Sequence, residues 1–171
     1  MADVILVNED DVPIGTMEKL EAHQKGALHR AFSIFLFNDN KELLLQKRAS
    51  DKYHSSDLWT NTCCSHPAPG EHLSASTQKR LIEEMGITTS LQPLFSFIYK
   101  TEFENGLIEN ELDHVIIGTF NANPLPNPAE VSDWRYSSLE EISNDIEANP
   151  NDYTFWFKQV YKRVFNYILS N

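Results

Sequence analysis

The chain has 171 residues, 41% hydrophobic and 23% charged, with a formal net charge of −11. That length suits one domain with a sizeable core, and 1–171 are expected to form it. So acidic a composition excludes nonspecific nucleic-acid binding and confines any phosphate site to a local basic pocket.

The N-terminal apolar run is four residues long and acids follow it, which is not a secretory pattern. No run approaches the ~20 apolar residues of a membrane helix. The two cysteines, Cys63 and Cys64, are adjacent and suggest no disulfide framework. A reduced cytoplasmic protein, monomeric by default, is the expectation.

Residues 4–7 read as a strand, 8–13 as a turn, 14–17 as a second strand, and 19–23 as a helical turn. The apolar run 29–37 reads as a strand buried on both faces. A hairpin-type turn at 38–41 leads to 43–45 as its partner strand. A polar loop spans 49–57. After the breakers at 67–70, residues 74–85 have helical spacing, with Ser74 as the expected N-cap and Gly86 as the C′ residue. Strands at 94–103 and 111–121 flank a hairpin turn at 104–106. A proline-rich loop covers 123–128 and a strand 131–136. A capping box at Ser138 opens a helix to about 146, and an amphipathic helix runs over 154–169. No repeat or linker divides the chain.

Four groups carry possible chemistry. His23, His29, His66, Glu109 and Glu111 suit a divalent metal, because the two glutamates share one face of a strand. Taken singly, each is more often an ordinary solvated residue. Cys63 and Cys64 are either an inert buried pair or, beside His66, a reactive thiol. Adjacency argues against structural zinc. Arg80 and Glu84 stand one helical turn apart, as a simple ion pair or as a phosphate-binding cation beside a metal-binding acid. Lys19, Arg48, Lys52 and Arg80 are scattered cations, and Tyr99 and Trp156 belong to a core by default.

Glu71 followed by the segment Lys79-Arg80-Leu81-Ile82-Glu83-Glu84-Met85-Gly86-Ile87 resembles the Nudix signature. Ser65 stands where its first glycine belongs, and Lys79-Arg80 replaces its Arg-Glu pair, removing one acid usual in a hydrolase metal cluster. The stretch Trp59-Thr60-Asn61-Thr62-Cys63-Cys64-Ser65-His66-Pro67 and the triplet Glu109-Asn110-Glu111 resemble the cysteine and glutamate motifs of type I isopentenyl-diphosphate isomerases. That resemblance extends over nearly the whole chain. It implies an α/β fold, a mixed sheet sandwiched between helices (α/β/α) with extra N-terminal strands and a C-terminal helix.

It also implies roles. His23, His29, His66, Glu109 and Glu111 would bind one divalent metal (Mn²⁺, Zn²⁺ or Mg²⁺), and Glu84 a Mg²⁺ arriving with the diphosphate, with the Cys64 carbonyl facing that second ion. Lys19, Arg48, Lys52 and Arg80 would contact the diphosphate, and Trp156 would cover the hydrocarbon. Cys64 and Glu111 would be the catalytic pair, with Tyr99 beside Glu111 and Cys63 structural. The implied reaction interconverts isopentenyl and dimethylallyl diphosphate in isoprenoid biosynthesis, through a tertiary carbocation. It needs an acid, a base on the opposite face, and exclusion of water. Glu111 is expected to donate and Cys64 to accept, with roles exchanged in reverse; the Trp156 face would stabilise the cation by roughly 0.5–2 kcal/mol. The rivals are a Nudix hydrolase acting on a diphosphate and a non-catalytic Nudix-like binding module.

Overall fold

The computed structural model describes residues 2–52 and 54–171; the Tyr53 part of the expected 49–57 loop and Met1 lie outside the described residues. The element order is β1 (Asp3–Val7), β2 (Pro13–Glu18), α1 (Lys19–Lys25), β3 (His29–Phe37), β4 (Leu43–Arg48), β5 (Trp59–Thr60), β6 (Cys63–Ser65), α2 (Leu73–Met85), β7 (Leu91–Glu102), β8 (Ile108–Thr119), β9 (Val131–Ser137), α3 (Leu139–Ala148), a 3-10 turn (Pro150–Asp152) and α4 (Phe155–Ser170). Among the described residues no helix is long and apolar enough to cross a membrane.

The apolar run at β3 forms the middle of a mixed sheet because both of its faces are covered. Phe32, Ile34 and Leu36 pack with Leu81, Met85 and Ile87 on the α2 side. Phe35 and Phe37 pack with Phe157, Val164 and Phe165 of α4 on the other. Each such buried side chain contributes roughly 1.5–3 kcal/mol, so the α/β/α sandwich follows from this one strand. Strand β8 runs parallel along one edge of β3, from His29↔Glu111 to Phe37↔Thr119, and β7 pairs antiparallel outside it. The other edge of β3 is shared by β1 at His29 and β6 at Phe32 to Ile34.

The expected turn between β3 and β4 is present and Phe37 pairs antiparallel with Leu43, but the ladder is brief. The two strands pair only at Phe37↔Leu43, and β4 instead pairs with β9 and β5. The segment 61–65 wedges them apart. The Thr62 hydroxyl accepts from Leu36 N (2.9 Å) and donates to Leu44 O (2.6 Å), so one buried side chain replaces the missing ladder bonds. The Asn61 amide donates to Ile34 O at 3.0 Å. The consecutive leucines of β4 fit any partner strand equally well, so sequence pattern does not reveal its longer pairing with β9.

Helix α2 begins one residue before the expected cap, with His72 at the N-cap position and no side-chain cap bond. Ser74 lies inside the first turn, where its carbonyl accepts from Thr77. Gly86 is the C′ residue as expected, at φ 63° with its N–H on Ile82 O. A side chain there would meet Leu125 O at 2.7 Å, so glycine is required twice over. The capping box of Ser138 and Glu141 is present on α3.

Thr62→Val keeps the shape of the wedge and leaves two buried backbone groups unpaired. The expected loss is about 2–6 kcal/mol, at roughly 1–3 kcal/mol for each group. In urea unfolding the midpoint should fall with the m-value unchanged; a loss under about 0.5 kcal/mol would contradict the bridging role.

Candidate active site

Strand alternation puts His29, Ala31, Ser33, Phe35 and Phe37 on one face of β3, and Glu109, Glu111, Asp113, Val115 and Ile117 on the matching face of β8. Both rows change from polar to apolar along their length. The apolar ends pack under α4. At the polar ends Ala31 and Ser33 are small, and a cavity of about 340 Å³ opens there, at the lower end of the ~300–1,000 Å³ typical of small-molecule sites.

The imidazoles come from three elements. Glu18 caps α1 by accepting from Leu20 N and Glu21 N, and i,i+4 spacing then puts Lys19 and His23 on one helix face. His23 Nδ1 donates to Lys19 O (2.7 Å) and His29 Nδ1 to Ala27 O (2.9 Å). These bonds fix both tautomers with Nε2 as the ligating nitrogen, an arrangement usual for metal-binding histidines. Donor atoms of His23, His29 and His66 lie within 4.8 Å of one another. His66 Nε2 is 2.8 Å from Glu111 Oε2. His29 Nε2 lies 3.3 Å from the same oxygen, but it is buried without an aligned hydrogen bond. Such a nitrogen, among carboxylates and other imidazoles, fits a divalent cation.

Glu109 and Glu111 both accept from the Tyr99 hydroxyl, since Tyr99 pairs with Glu111 across β7 and β8. Burial and the neighbouring Glu111 charge push Glu109 well above the usual carboxylate range. Burial works against the Glu111 charge too, but His66 and His29 outweigh it and hold Glu111 well below that range. Burial drives His66 down to about 3, so its ring is neutral. For His29, burial opposes the cation and the Glu111 carboxylate more than offsets it.

Cys64 reaches the cavity from β6, opposite Ser33 on β3. Its thiol donates to Asn61 Oδ1 at 3.0 Å, and Trp156 Nε1 donates to the sulfur at 3.1 Å. Burial pushes the thiol up to about 12. The Asp113 charge acts in the same direction on the sulfur. Cys63 points the other way, fully buried in the α2-side core.

Trp156 meets the cavity with its indole N–H turned toward sulfur, and the Arg48 guanidinium sits 5.4 Å from its ring centre. Lys19, Arg48, Lys52, Arg80 and Glu84 also line the cavity, with Tyr99, Glu109 and Glu111. Arg80 contacts Glu84 at 2.8 Å, Glu83 at 2.6 Å and Glu130 at 3.5 Å. Of the Nudix-signature acids, only Glu84 lines the cavity. Glu83 is half-exposed, and Glu71 is engaged by Ser76 and Lys79 at the start of α2.

Several residues of the site escape sequence reasoning. Asp113 is buried, accepts from Ser33 at 2.7 Å and lines the cavity; its place two residues after Glu111 was the available signal. Asn61 receives Thr60, Cys64 and Trp156 on a single oxygen. Glu130 ion-pairs with both Lys52 and Arg80. His54 is buried, stacked on Phe103 at 4.8 Å, and 3.2 Å from Glu109 Oε2. Burial, then the Arg48 charge, brings it down to about 2.

Comparison with known proteins agrees with this geometry. The NUDIX domain family matches residues 27–158. An isopentenyl-diphosphate Delta-isomerase of Pectobacterium atrosepticum is 48% identical over 98% of this chain and 93% of its own length. Isopentenyl-diphosphate Delta-isomerase 2 of Photorhabdus laumondii is 50% identical over 92% and 89%. Among solved structures, a Deinococcus radiodurans protein superposes with a TM-score of 0.71 at 21% identity, covering 85% of this chain and 89% of that one. A MutT protein of Methanosarcina mazei gives 0.66 at 18%, over 84% and 96%. The structural likenesses speak for the fold; the sequence identities go further, and the chain belongs to the isopentenyl-diphosphate Delta-isomerase family, built on a NUDIX domain.

Proposed function

We propose that the chain, acting as one domain, interconverts isopentenyl diphosphate and dimethylallyl diphosphate. The observation that carries this reading is the pairing of Cys64 and Glu111 in one small cavity, while two of the three Nudix-signature acids lie outside it. A hydrolase needs those acids around a diphosphate-bound metal. An isomerase needs a thiol and a carboxylate around an alkene. The cytoplasm, with its reduced thiols, suits the free cysteines, and a monomer is the assembly we propose.

His23, His29, His66, Glu109 and Glu111 would hold one divalent ion, and Glu84 a Mg²⁺ carried in by the diphosphate. When bound, these ions would neutralise the buried acids and the diphosphate. The chain's own groups do the rest. Lys19, Arg48, Lys52 and Arg80 hold the diphosphate as a handle, and its binding energy positions the short apolar tail. The buried walls exclude water, which would trap a carbocation.

One direction is the pass from dimethylallyl to isopentenyl diphosphate. The Cys64 S–H gives its proton to the alkene carbon nearer the diphosphate, leaving a thiolate and a tertiary cation on the branched carbon. A methyl C–H electron pair then forms the new double bond, and its proton passes to Glu111 beside Tyr99. The opposite pass starts from thiolate and protonated Glu111, by microscopic reversibility. In the cation, positive charge develops between the thiolate and the Trp156 ring.

Incubation with isopentenyl diphosphate and Mg²⁺ in D₂O, followed by NMR, tests the function. Deuterium should enter the methyl and allylic positions with no phosphate released; phosphate release would establish the hydrolase instead. The residue roles are tested by kinetics. Cys64→Ala and Glu111→Gln should each lower kcat by about 10²–10⁴ with KM within a few-fold, the range of proton-transfer catalysts. Cys63→Ala should retain most activity. Near-normal turnover of Cys64→Ala would remove the thiol from the mechanism.

A further inference from the structure

His54 belongs to no motif recognised in the sequence, yet it lies at the edge of the metal-binding cluster. Its ring centre is 5.4 Å from that of His23, and its Nε2 is 3.2 Å from Glu109 Oε2. The donor atoms of His23, His54 and Glu109 lie within 4.8 Å of one another, the same spread found for His23, His29 and His66. Donors bound to one ion at about 2.0–2.2 Å stand up to about 4.4 Å apart, so little closure is needed. His23 belongs to both sets. The ring is held on its far side too: Nδ1 is 3.2 Å from Ser55 Oγ, and the plane stacks on Phe103 at 9°. That clamp presents Nε2, not Nδ1, to the cluster.

We propose that His54 is a further ligand of the divalent ion, joining it through Nε2 beside His23 and Glu109. This rests on the three-histidine, two-glutamate metal site proposed above. The alternative is a purely structural ring filling space against Phe103. The ligand role has a consequence that packing lacks. The His54 carbonyl accepts from Arg48 Nη2 at 3.4 Å, and Lys52 lies two residues earlier on the same loop. Coordination through His54 would thus tie the loop that carries one diphosphate-contacting cation, and anchors another, to the metal.

His54→Phe separates the two readings, because it keeps an aromatic ring for Phe103 and removes the donor. Full-length wild type, His54→Phe and His66→Ala would be loaded with Co²⁺. Visible absorption then reports the ligand set, and chelator competition reports affinity. The proposal expects a changed Co²⁺ spectrum and about 10–100-fold weaker binding in His54→Phe, the size of effect seen when groups around a metal are altered. An unchanged spectrum and affinity in His54→Phe, with binding lost in His66→Ala, would overturn the His54 role and leave the five-residue site standing. Unchanged binding in both variants would overturn the five-residue site as well.

Discussion

Glu111 is the constraint on which the site depends. It is a carboxylate with only 5% of its surface exposed, and a lone buried charge of this kind is not tolerated. Its ionisation is sustained by His66 at 2.8 Å and His29 at 3.3 Å, with the Tyr99 hydroxyl on its other oxygen. Those partners come from the residue after β6, from β3 and from β7, so the charge can be held only when the whole mixed sheet is assembled. The neighbouring Glu109 pays for this arrangement by being driven toward its neutral form. A divalent cation at the proposed site would resolve the conflict, because it would let both acids ionise together.

The sheet supplies the rest through a gradient along two strands. On β3 and β8 the residues facing α4 are bulky and apolar at one end and small or ionisable at the other. One continuous surface thereby serves as core and as cavity wall. The cysteine segment completes the opposite side by entering the split between β3 and β4. Its buried polar residues have structural tasks: Thr62 bridges the strands and Asn61 orients the thiol. The adjacent cysteines then diverge as strand alternation requires, one into the α2-side core and one into the cavity. Net acidity and an anionic substrate are compatible because the cations converge locally.

Signals in the sequence are legible where the physics is local. Capping at Ser138, the Gly86 helix stop, the doubly buried β3 and the shared face of Glu109 and Glu111 all follow from short-range pattern. What was missed is long-range. Ser33 and Asp113 meet from 80 residues apart because β3 and β8 are parallel, and no local periodicity encodes that pairing. The brevity of the β3–β4 ladder is not legible, because the wedge between the strands is made by side-chain hydrogen bonds of Thr62. Ser74 has the residue type favoured at an N-cap, but the helix starts at Leu73. The metal, phosphate and thiol residues were brought together by resemblance to a family, while His54 and Glu130 sit in segments that the motifs do not cover.

We propose that a metal resides in the Glu111 cluster even without substrate, whereas Glu84 would take up Mg²⁺ only with the diphosphate. Crystals grown with Mn²⁺ and without substrate, measured for anomalous scattering, test this directly. The account requires one strong peak among His23, His29, His66, Glu109 and Glu111. A peak confined to Glu71, Glu83 and Glu84, with none beside Glu111, would contradict it.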